Sequence, residues 1–236
     1  ILQQIYNYGK ARTFNSIPRI KATNGQYTYE MLRLDDALAL AIGRLTDCCQ
    51  ELGNAAETSM EHSMVSKHGR VFVIKDAAGN IVAQSWVWRN QNVLCFDNIE
   101  IPAKAFTRAE RIGMTREEFT DTVFRLYQQA AEELIKKDAE AYAKLLDEGK
   151  ITKEQYEKIK LAKVTVGTGY NDIADALNRN AQRDKSVVAR PLEFIPPVQL
   201  EEPLYTKDSE SQYVIAGEQD VITSSIETPT VYQDEF

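Results

Sequence analysis

The clearest pattern of apolar and polar positions lies between residues 70 and 101, where three strand-like runs are separated by turn residues. Residues 71–75, 81–88 and 93–101 predict strands, and the stretches 76–80 and 89–92 predict the turns of an antiparallel meander. In the second run, one face carries Val82, Gln84, Trp86 and Trp88, and the other carries Ile81, Ala83, Ser85 and Val87. Both faces are largely apolar, which predicts a sheet that is covered on both sides.

The N-terminal part of the chain changes pattern twice. Residues 1–25 contain two turn signals and scattered aromatic residues, and they predict an irregular arm. Residues 26–34 alternate as a strand does, and from Asp35 the apolar positions recur every three or four residues. That spacing predicts an amphipathic helix with Asp35 as N-cap and Gly53 as terminator, and its apolar stripe is Leu38, Ile42, Leu45, Cys49 and Leu52.

Beyond Pro102 the sequence predicts a linker and then helices. Thr115 and Glu118 have the spacing of a capping box, which predicts the start of a long helix. Residues 138–160 predict a charged helical hairpin that turns at Gly149 and restarts at Thr152. Residues 163–167 predict a strand, residues 171–178 a short helix, and residues 192–195 and 212–216 two last strands.

This order predicts an α+β (mixed α/β) fold with a mixed, mostly antiparallel sheet and helices on both faces. Such sheets bind ligands where neighbouring strands separate, which here lies between residues 99–101 and 165–168. The predicted organisation is an N-terminal arm at 1–25, one domain at 26–217 with the hairpin inserted at about 138–160, and a tail at 218–236.

Charge is distributed unevenly along the chain. The formal net charge is −7, and residues 201–236 contribute −8 of it through nine acids and one Lys, so residues 1–200 sum to about +1. The acidic tail is predicted to be disordered or to dock on a partner. The sequence has no basic stripe of the kind that nucleic-acid binding requires. It also has no long apolar run and no leader that would indicate a membrane or secreted protein, so a cytoplasmic location is expected. Ile1 in place of Met indicates a processed start or a fragment of a longer chain.

The soft metal ligands are three cysteines and two histidines, and their spacing matches no zinc motif. Core thiols in a reducing compartment are the expected role of Cys48, Cys49 and Cys95. A nucleophilic Cys48 assisted by His62 or His68 is the sharper alternative. Trp86 and Trp88 are expected in the core, and the alternative is a wall on which a substrate stacks.

Over residues 27–216, the order of elements resembles the GNAT superfamily of acyl-CoA N-acyltransferases. In that family a strand runs into a pyrophosphate-binding loop, [Q/R]-x-x-G-x-[G/A], followed by a long helix. Arg108-Ala-Glu-Arg111-Ile-Gly113 is similar to this loop, with Arg111 at the position of the central glycine. Consecutive backbone N–H groups hold the anion in such a loop. The resemblance implies a cofactor-binding set of Ile99, Ile101, Arg108, Arg111, Gly113, Met114, Thr115 and Asn171, and an exposed loop rich in Arg and Glu is the alternative.

A second similar segment is residues 171–177, which matches the family's N-x-x-A-x-x-[LF]-Y segment in Asn171 and Ala174, while Asn178 replaces the expected tyrosine. Tyr170 is therefore the candidate general acid. Glu100 occupies the region where relatives place a catalytic base. Strand alternation predicts Asp97 on one face and Glu100 on the other, so only one of the two acids can face the acceptor. Glu100 is the favoured base, and the alternative is that it caps a strand end or pairs with a nearby arginine.

The implied function is an acetyltransferase-like, acyl-CoA-dependent N-acyltransferase. Its co-substrate would be acetyl-CoA or another acyl-CoA, and its acceptor an unknown small-molecule or peptide amine. A homodimer is a candidate assembly. The alternative function is a catalytically inactive GNAT-like interaction module, part of a larger bacterial or phage protein.

Overall fold

The fold is given by a computed structural model that describes residues 16–33, 35–51, 53–54, 57–167, 176, 179 and 212–217. The predicted short helix at 171–178, the strand at 192–195 and the acidic tail lie outside these residues or have too few of them described for comparison.

The described strands form one seven-stranded sheet in which the order along the sheet equals the order along the chain. The strands are β1 (Lys21–Asn24), β2 (Tyr27–Met31), β3 (Gly69–Lys75), β4 (Ile81–Asn90), β5 (Val93–Phe96), β6 (Lys163–Gly167) and β7 (Gln212–Gly217). Neighbours are antiparallel except for β5 and β6, which are parallel. The predicted mixed sheet and its central meander are thus confirmed.

Five helices accompany the sheet in the described residues: α1 (Ala37–Thr46), α2 (Glu57–Val65), α3 (Ala103–Arg111), α4 (Arg116–Asp147) and α5 (Lys153–Ile159). The capping box at Thr115 starts α4, and a second at Thr152 starts α5, as the sequence predicted. Gly149 forms the turn between them with a positive φ of 66°, a conformation that glycine adopts without strain.

Four predictions about elements were wrong. Residues 21–24 are a strand instead of an irregular arm, because they pair with residues 27–30 across the Asn24-Gly25 turn. Helix α1 is capped by Asp36 and ends at Thr46, where Asp47 takes a left-handed conformation. A separate helix, α2, follows. The predicted linker after Pro102 contains helix α3, and the third strand of the meander ends at Phe96 instead of residue 101.

The core lies on both faces of the sheet. On one face, Phe72 and Phe96 pack edge-on against Tyr127 of α4, with ring centroids 4.9 and 5.0 Å from the tyrosine. On the other face, strand residues pack with α1 and α2, and Trp86 and Trp88 form a smaller cluster with Cys95. The core role expected for both tryptophans is observed. No described helix combines the length and apolar character that crossing a membrane requires.

Candidate functional site

A β-bulge lies where the chain continues from β5. Val87 pairs with Phe96, and Gln84 pairs with Glu100, so three steps along β4 match four steps along the opposite segment. The bridge between Gln84 and Glu100 has both backbone hydrogen bonds, of 3.0 and 2.9 Å. In the described residues, the last bond from β6 to this segment is donated by Gly167 N–H to the Asp97 carbonyl, at 2.7 Å. The extra residue therefore falls where β5 and β6 separate.

A cavity of about 310 Å³ adjoins this bulge. Its walls come from the segment after β5, the first turns of α3 and α4, the end of α1, and Ala176. The lining residues are Thr46, Asp47, Ile99, Glu100, Ile101, Pro102, Ala103, Phe106, Arg116, Thr120, Val123, Phe124 and Ala176. The Arg116 guanidinium carbon lies 4.0 Å from the centroid of the Phe106 ring, a cation–π contact. The cavity thus combines an apolar wall from α4 with two carboxylates and one guanidinium.

The bulge decides which side chains face α1. Directly opposed residues of an antiparallel pair share a face, so Glu100 shares the face of Gln84. Asp97 is the residue after Phe96, which pairs with Val87, so Asp97 lies opposite Trp86. The Asp97 N–H donates to the Trp86 carbonyl at 2.9 Å. Trp86 and Gln84 lie on one face of β4. The predicted separation of Asp97 and Glu100 onto opposite faces was therefore wrong, because strand alternation does not anticipate an extra residue.

Polar side chains lie on the face of the sheet that Glu100 shares with Gln84. The buried Gln84 amide donates from Nε2 to Cys48 Sγ and to Gln50 Oε1, each at 3.3 Å. Burial raises the pKa of the Cys48 thiol, and the nearby charge of Glu100 raises it further. This favours the protonated thiol over a nucleophilic thiolate.

The ring of His62, one of the two histidines considered as a partner of Cys48, is held by a hydrogen bond in the core. His62 Nδ1 accepts a 3.2 Å hydrogen bond from the Trp86 indole, so this nitrogen is engaged in the core. The described residues contain no group of three or more His, Cys, Asp or Glu side chains placed to hold a metal ion.

An open groove of about 710 Å³ adjoins the end of α1. It is lined by Arg44, Asp47, Cys48, Cys49, Glu51 and Asn54. Asp47 lines both the groove and the 310 Å³ cavity. Its left-handed backbone at the end of α1 places it at the junction of the two spaces. Asp47 was not among the predicted site residues, and its only signal in the sequence is an acid within the predicted helix.

The segment predicted as a pyrophosphate loop has a different conformation. Arg108 and Arg111 belong to α3, and Arg108 forms a 3.3 Å ion pair with Asp76 and a 2.9 Å hydrogen bond to the Ile81 carbonyl. Neither arginine lines the cavity. The predicted loop conformation was therefore wrong, because residues 103–111 form a helix whose last residue is Arg111.

The following amides are engaged within the turn itself. Gly113 N–H donates to Glu110 O at 2.9 Å, Met114 N–H to Ala109 O at 3.1 Å, and Thr115 N–H to the Glu118 carboxylate at 2.9 Å. Amides with these partners do not form the predicted open cradle.

Of the remaining predicted site residues, Ile99, Glu100 and Ile101 are brought together in the cavity wall. Tyr170 and Asn171 lie outside the described residues. Arg116 also lines the cavity, and in the sequence it follows shortly after the segment that is similar to the phosphate loop. Its place directly after the capping-box residue Thr115 was the available signal, because the first residues of a helix face whatever binds at its N-terminus.

No family model matches the chain, and no curated protein does either. Among solved structures, the spermidine N-acetyltransferase from Vibrio cholerae in complex with CoA and spermine is 14% identical, with a TM-score of 0.38, over 81% of this chain and 94% of its own. A GCN5-related N-acetyltransferase from Brucella melitensis is 11% identical, with a TM-score of 0.38, over 85% of this chain and 80% of its own. In the order of its described elements, a meander, a long helix and then a parallel strand, the chain resembles the GNAT superfamily.

Proposed function

We propose that the chain is an acyl-CoA-dependent N-acyltransferase that acetylates or acylates an amine. The observation that carries this proposal is the 310 Å³ cavity at the separation of β5 and β6, lined by two carboxylates, a guanidinium and an apolar wall. Ile99 and Ile101 flank Glu100 in its wall, and these three residues are the proposed thioester-binding segment. In sheets of this kind ligands bind where neighbouring strands separate.

Glu100 is the proposed general base. An amine attacks the thioester carbon only as the neutral species, so a proton leaves the nitrogen as the new C–N bond forms. Glu100 takes that proton, directly or through water. The C–S bond then breaks, and the CoA thiolate leaves with a proton supplied by an acid, for which Tyr170 remains the candidate.

Arg116 is the proposed partner of the cofactor phosphates. It begins α4, and α3 begins in the same wall behind Pro102, which provides no side-chain cap for the first amides of that helix. Helix N-termini and guanidinium groups both favour anions. The turn at Arg111, Gly113, Met114 and Thr115, together with Arg108 and Asn171, remains the alternative phosphate site that the sequence resemblance implies.

Calorimetric titration with acetyl-CoA and longer acyl-CoAs tests the cofactor proposal. Arg116→Gln is expected to weaken binding about tenfold or more, as loss of one charged contact does. Arg125→Gln, an exposed arginine on α4 outside the cavity lining, is the matched control and should bind within about twofold of wild type. Arg111→Gln distinguishes the two phosphate sites. A folded sample that binds no acyl-CoA would overturn the proposal.

Kinetics test the role of Glu100. Once an amine screen identifies an acceptor, Glu100→Gln should lower kcat by about 10²–10⁴-fold with little change in acyl-CoA affinity. The screen should include amines with a second positive charge, because Asp47 and Glu51 line the groove next to the cavity. An unchanged kcat would remove Glu100 from the mechanism.

The second candidate function is a catalytically inactive binding module. The engaged amides of Gly113, Met114 and Thr115 favour it, because the phosphate loop implied by the resemblance is not formed there. Acyl-CoA binding without turnover of any amine would support this module. Turnover that depends on Glu100 would exclude it.

A further inference from the structure

A buried chain of hydrogen bonds supports the bulge from the α4 side of the sheet. Ser85 Oγ donates to the Asn98 carbonyl, and the Tyr127 hydroxyl lies 2.9 Å from Ser85 Oγ. Because a carbonyl only accepts and a serine hydroxyl has one proton, Tyr127 must donate to Ser85. The order of donation is therefore Tyr127 to Ser85 to Asn98. Ser85 and Tyr127 have no exposed surface, so water does not replace these bonds readily.

These hydrogen bonds compensate for the backbone pairing that the extra residue of the bulge disrupts. Asn98 and Ile99 together oppose Ser85 across the bulge, so one carbonyl loses its regular ladder partner there. A buried carbonyl without a partner is costly, and the Ser85 hydroxyl supplies the missing donor. The bulge is thereby held in the register that pairs Glu100 with Gln84.

The same contact connects the two walls of the cavity. Val123 and Phe124 line the cavity, and Tyr127 lies one helical turn further along α4, on the same side of the helix. Asn98 directly precedes Ile99, the first cavity residue of the opposite wall. The hydroxyl of Tyr127 therefore fixes α4 to the segment that carries Glu100.

We propose that Ser85 and Tyr127 are positioning residues, which set the register of the bulge and hence the position of the Glu100 carboxylate in the cavity. Neither residue lines the cavity, so they act through Asn98 without touching a substrate. The kinetic part of this inference rests on the proposed function, whereas the structural part does not.

Hydrogen exchange of individual amides tests the structural part without any ligand. In Tyr127→Phe and in Ser85→Ala, the amides of Gln84 and Glu100 should exchange about tenfold faster, because their bridge loses its support. Amides of β3 that pair with β2 should keep their wild-type rates. Unchanged exchange at Gln84 and Glu100, or an equal increase over the whole sheet, would overturn the inference.

Two matched variants control for the loss of a hydroxyl alone. Tyr29→Phe removes a tyrosine hydroxyl that donates to Glu133 of α4 at 3.1 Å, away from the bulge. Ser63→Ala removes a buried serine hydroxyl that donates to Met60 O at 2.6 Å. Both should leave exchange at Gln84 and Glu100 at the wild-type rate. A comparable increase in either control would show that the effect is not specific to Ser85 and Tyr127.

Steady-state kinetics test the kinetic part of the inference, that Ser85 and Tyr127 set the position of the Glu100 carboxylate. Tyr127→Phe should lower kcat about tenfold, with KM for acyl-CoA changed less than about twofold, since the carboxylate moves while the cofactor contacts remain. An increase in KM with kcat unchanged would contradict a positioning role. If acyl-CoA does not bind or no amine is acylated, the proposed function fails, and the exchange rates still decide whether Ser85 and Tyr127 hold the register.

Discussion

His62 lies buried between strand β3 and the Trp86 indole. Its ring stands edge-on to Trp86, with centroids 5.5 Å apart, and Nδ1 accepts the indole N–H. A Cβ placed on Gly69 would come within 2.5 Å of the His62 carbonyl oxygen, so only glycine leaves room for this backbone. The pKa of His62 is lowered from 6.5 to about 4, mainly by burial and to a smaller extent by the charges of His68 and Arg70.

This shift predicts a pH dependence of stability. The unfolded chain binds a proton at His62 below its ordinary pKa of 6.5, whereas the folded protein does so only below about 4. Stabilisation is therefore complete above pH 6.5 and falls by roughly 3 kcal/mol as the pH drops to 4. Urea unfolding of wild type and His62→Gln across this range measures it. The variant, which keeps an acceptor for Trp86, should show a shallower slope, and parallel curves would contradict the assignment.

At the scale of elements, one buried ion pair joins β4 to the helices. Arg89, 1% exposed, contacts Asp138 of α4 through two hydrogen bonds of 2.5 and 3.0 Å. The same guanidinium donates to the carbonyls of Ser16 and Ile159, at 3.0 and 2.6 Å. Asp138 also accepts the Leu161 N–H at 2.6 Å. The pair thus fixes the end of α5 and the entry to β6 against the sheet.

Breaking this pair from one side should destabilise the protein strongly. Arg89→Met leaves a buried carboxylate without its charge partner, and the free energy of unfolding should fall by about 3–5 kcal/mol. Urea unfolding measures the change. The double variant Arg89→Met/Asp138→Leu should recover a large part of the loss, because it removes both charges. A loss of the same size or larger in the double variant would show that packing dominates.

An exposed ion pair provides the comparison. Lys150 and Glu148 lie 2.7 Å apart, and the lysine side chain is 63% exposed. Lys150→Met should change the free energy of unfolding by no more than about 1 kcal/mol. A larger effect would indicate a role for the turn between α4 and α5 that the contact itself does not explain.

Elements with strong local signals were predictable, and elements that depend on distant partners were not. The meander and both capping boxes follow from alternation and from Thr115 and Thr152. Strand β1 was missed because its residues are mostly polar and exposed, and only pairing with β2 makes them a strand. Helix α2 was missed because its buried residues include His62 and Ser63, which give no apolar stripe.

At the scale of the whole molecule, the cavity joins parts of the chain that no local pattern connects. The sequence predicted the ligand position at residues 99–101, and Glu100 lies in the cavity wall. The bulge was not predictable, since a single extra residue leaves the apolar pattern nearly unchanged. Arg108 was singled out from a motif, but its contact with Asp76 depends on the distant turn between β3 and β4.

Because the cavity walls come from separate elements, a ligand that binds there should stabilise the whole fold. Acetyl-CoA at 100 times its Kd should raise the free energy of unfolding by about 2.7 kcal/mol. For a chain of this size the expected increase in Tm is about 5–10 °C. Calorimetric melting with and without acetyl-CoA measures it, with Arg116→Gln as the comparison. An unchanged Tm at saturating acetyl-CoA would argue against binding to the folded state.

Helix α4 also separates two ends of the molecule by a known length. Its first residue, Arg116, lines the cavity, and its last, Asp147, precedes the turn at Gly149. At 1.5 Å per residue, these ends lie about 46 Å apart. The exposed turn after α4 is therefore a suitable attachment point for a fluorophore, an affinity tag or a surface linker, because a group placed there stays clear of the cavity while rigidly following the helix that forms its wall.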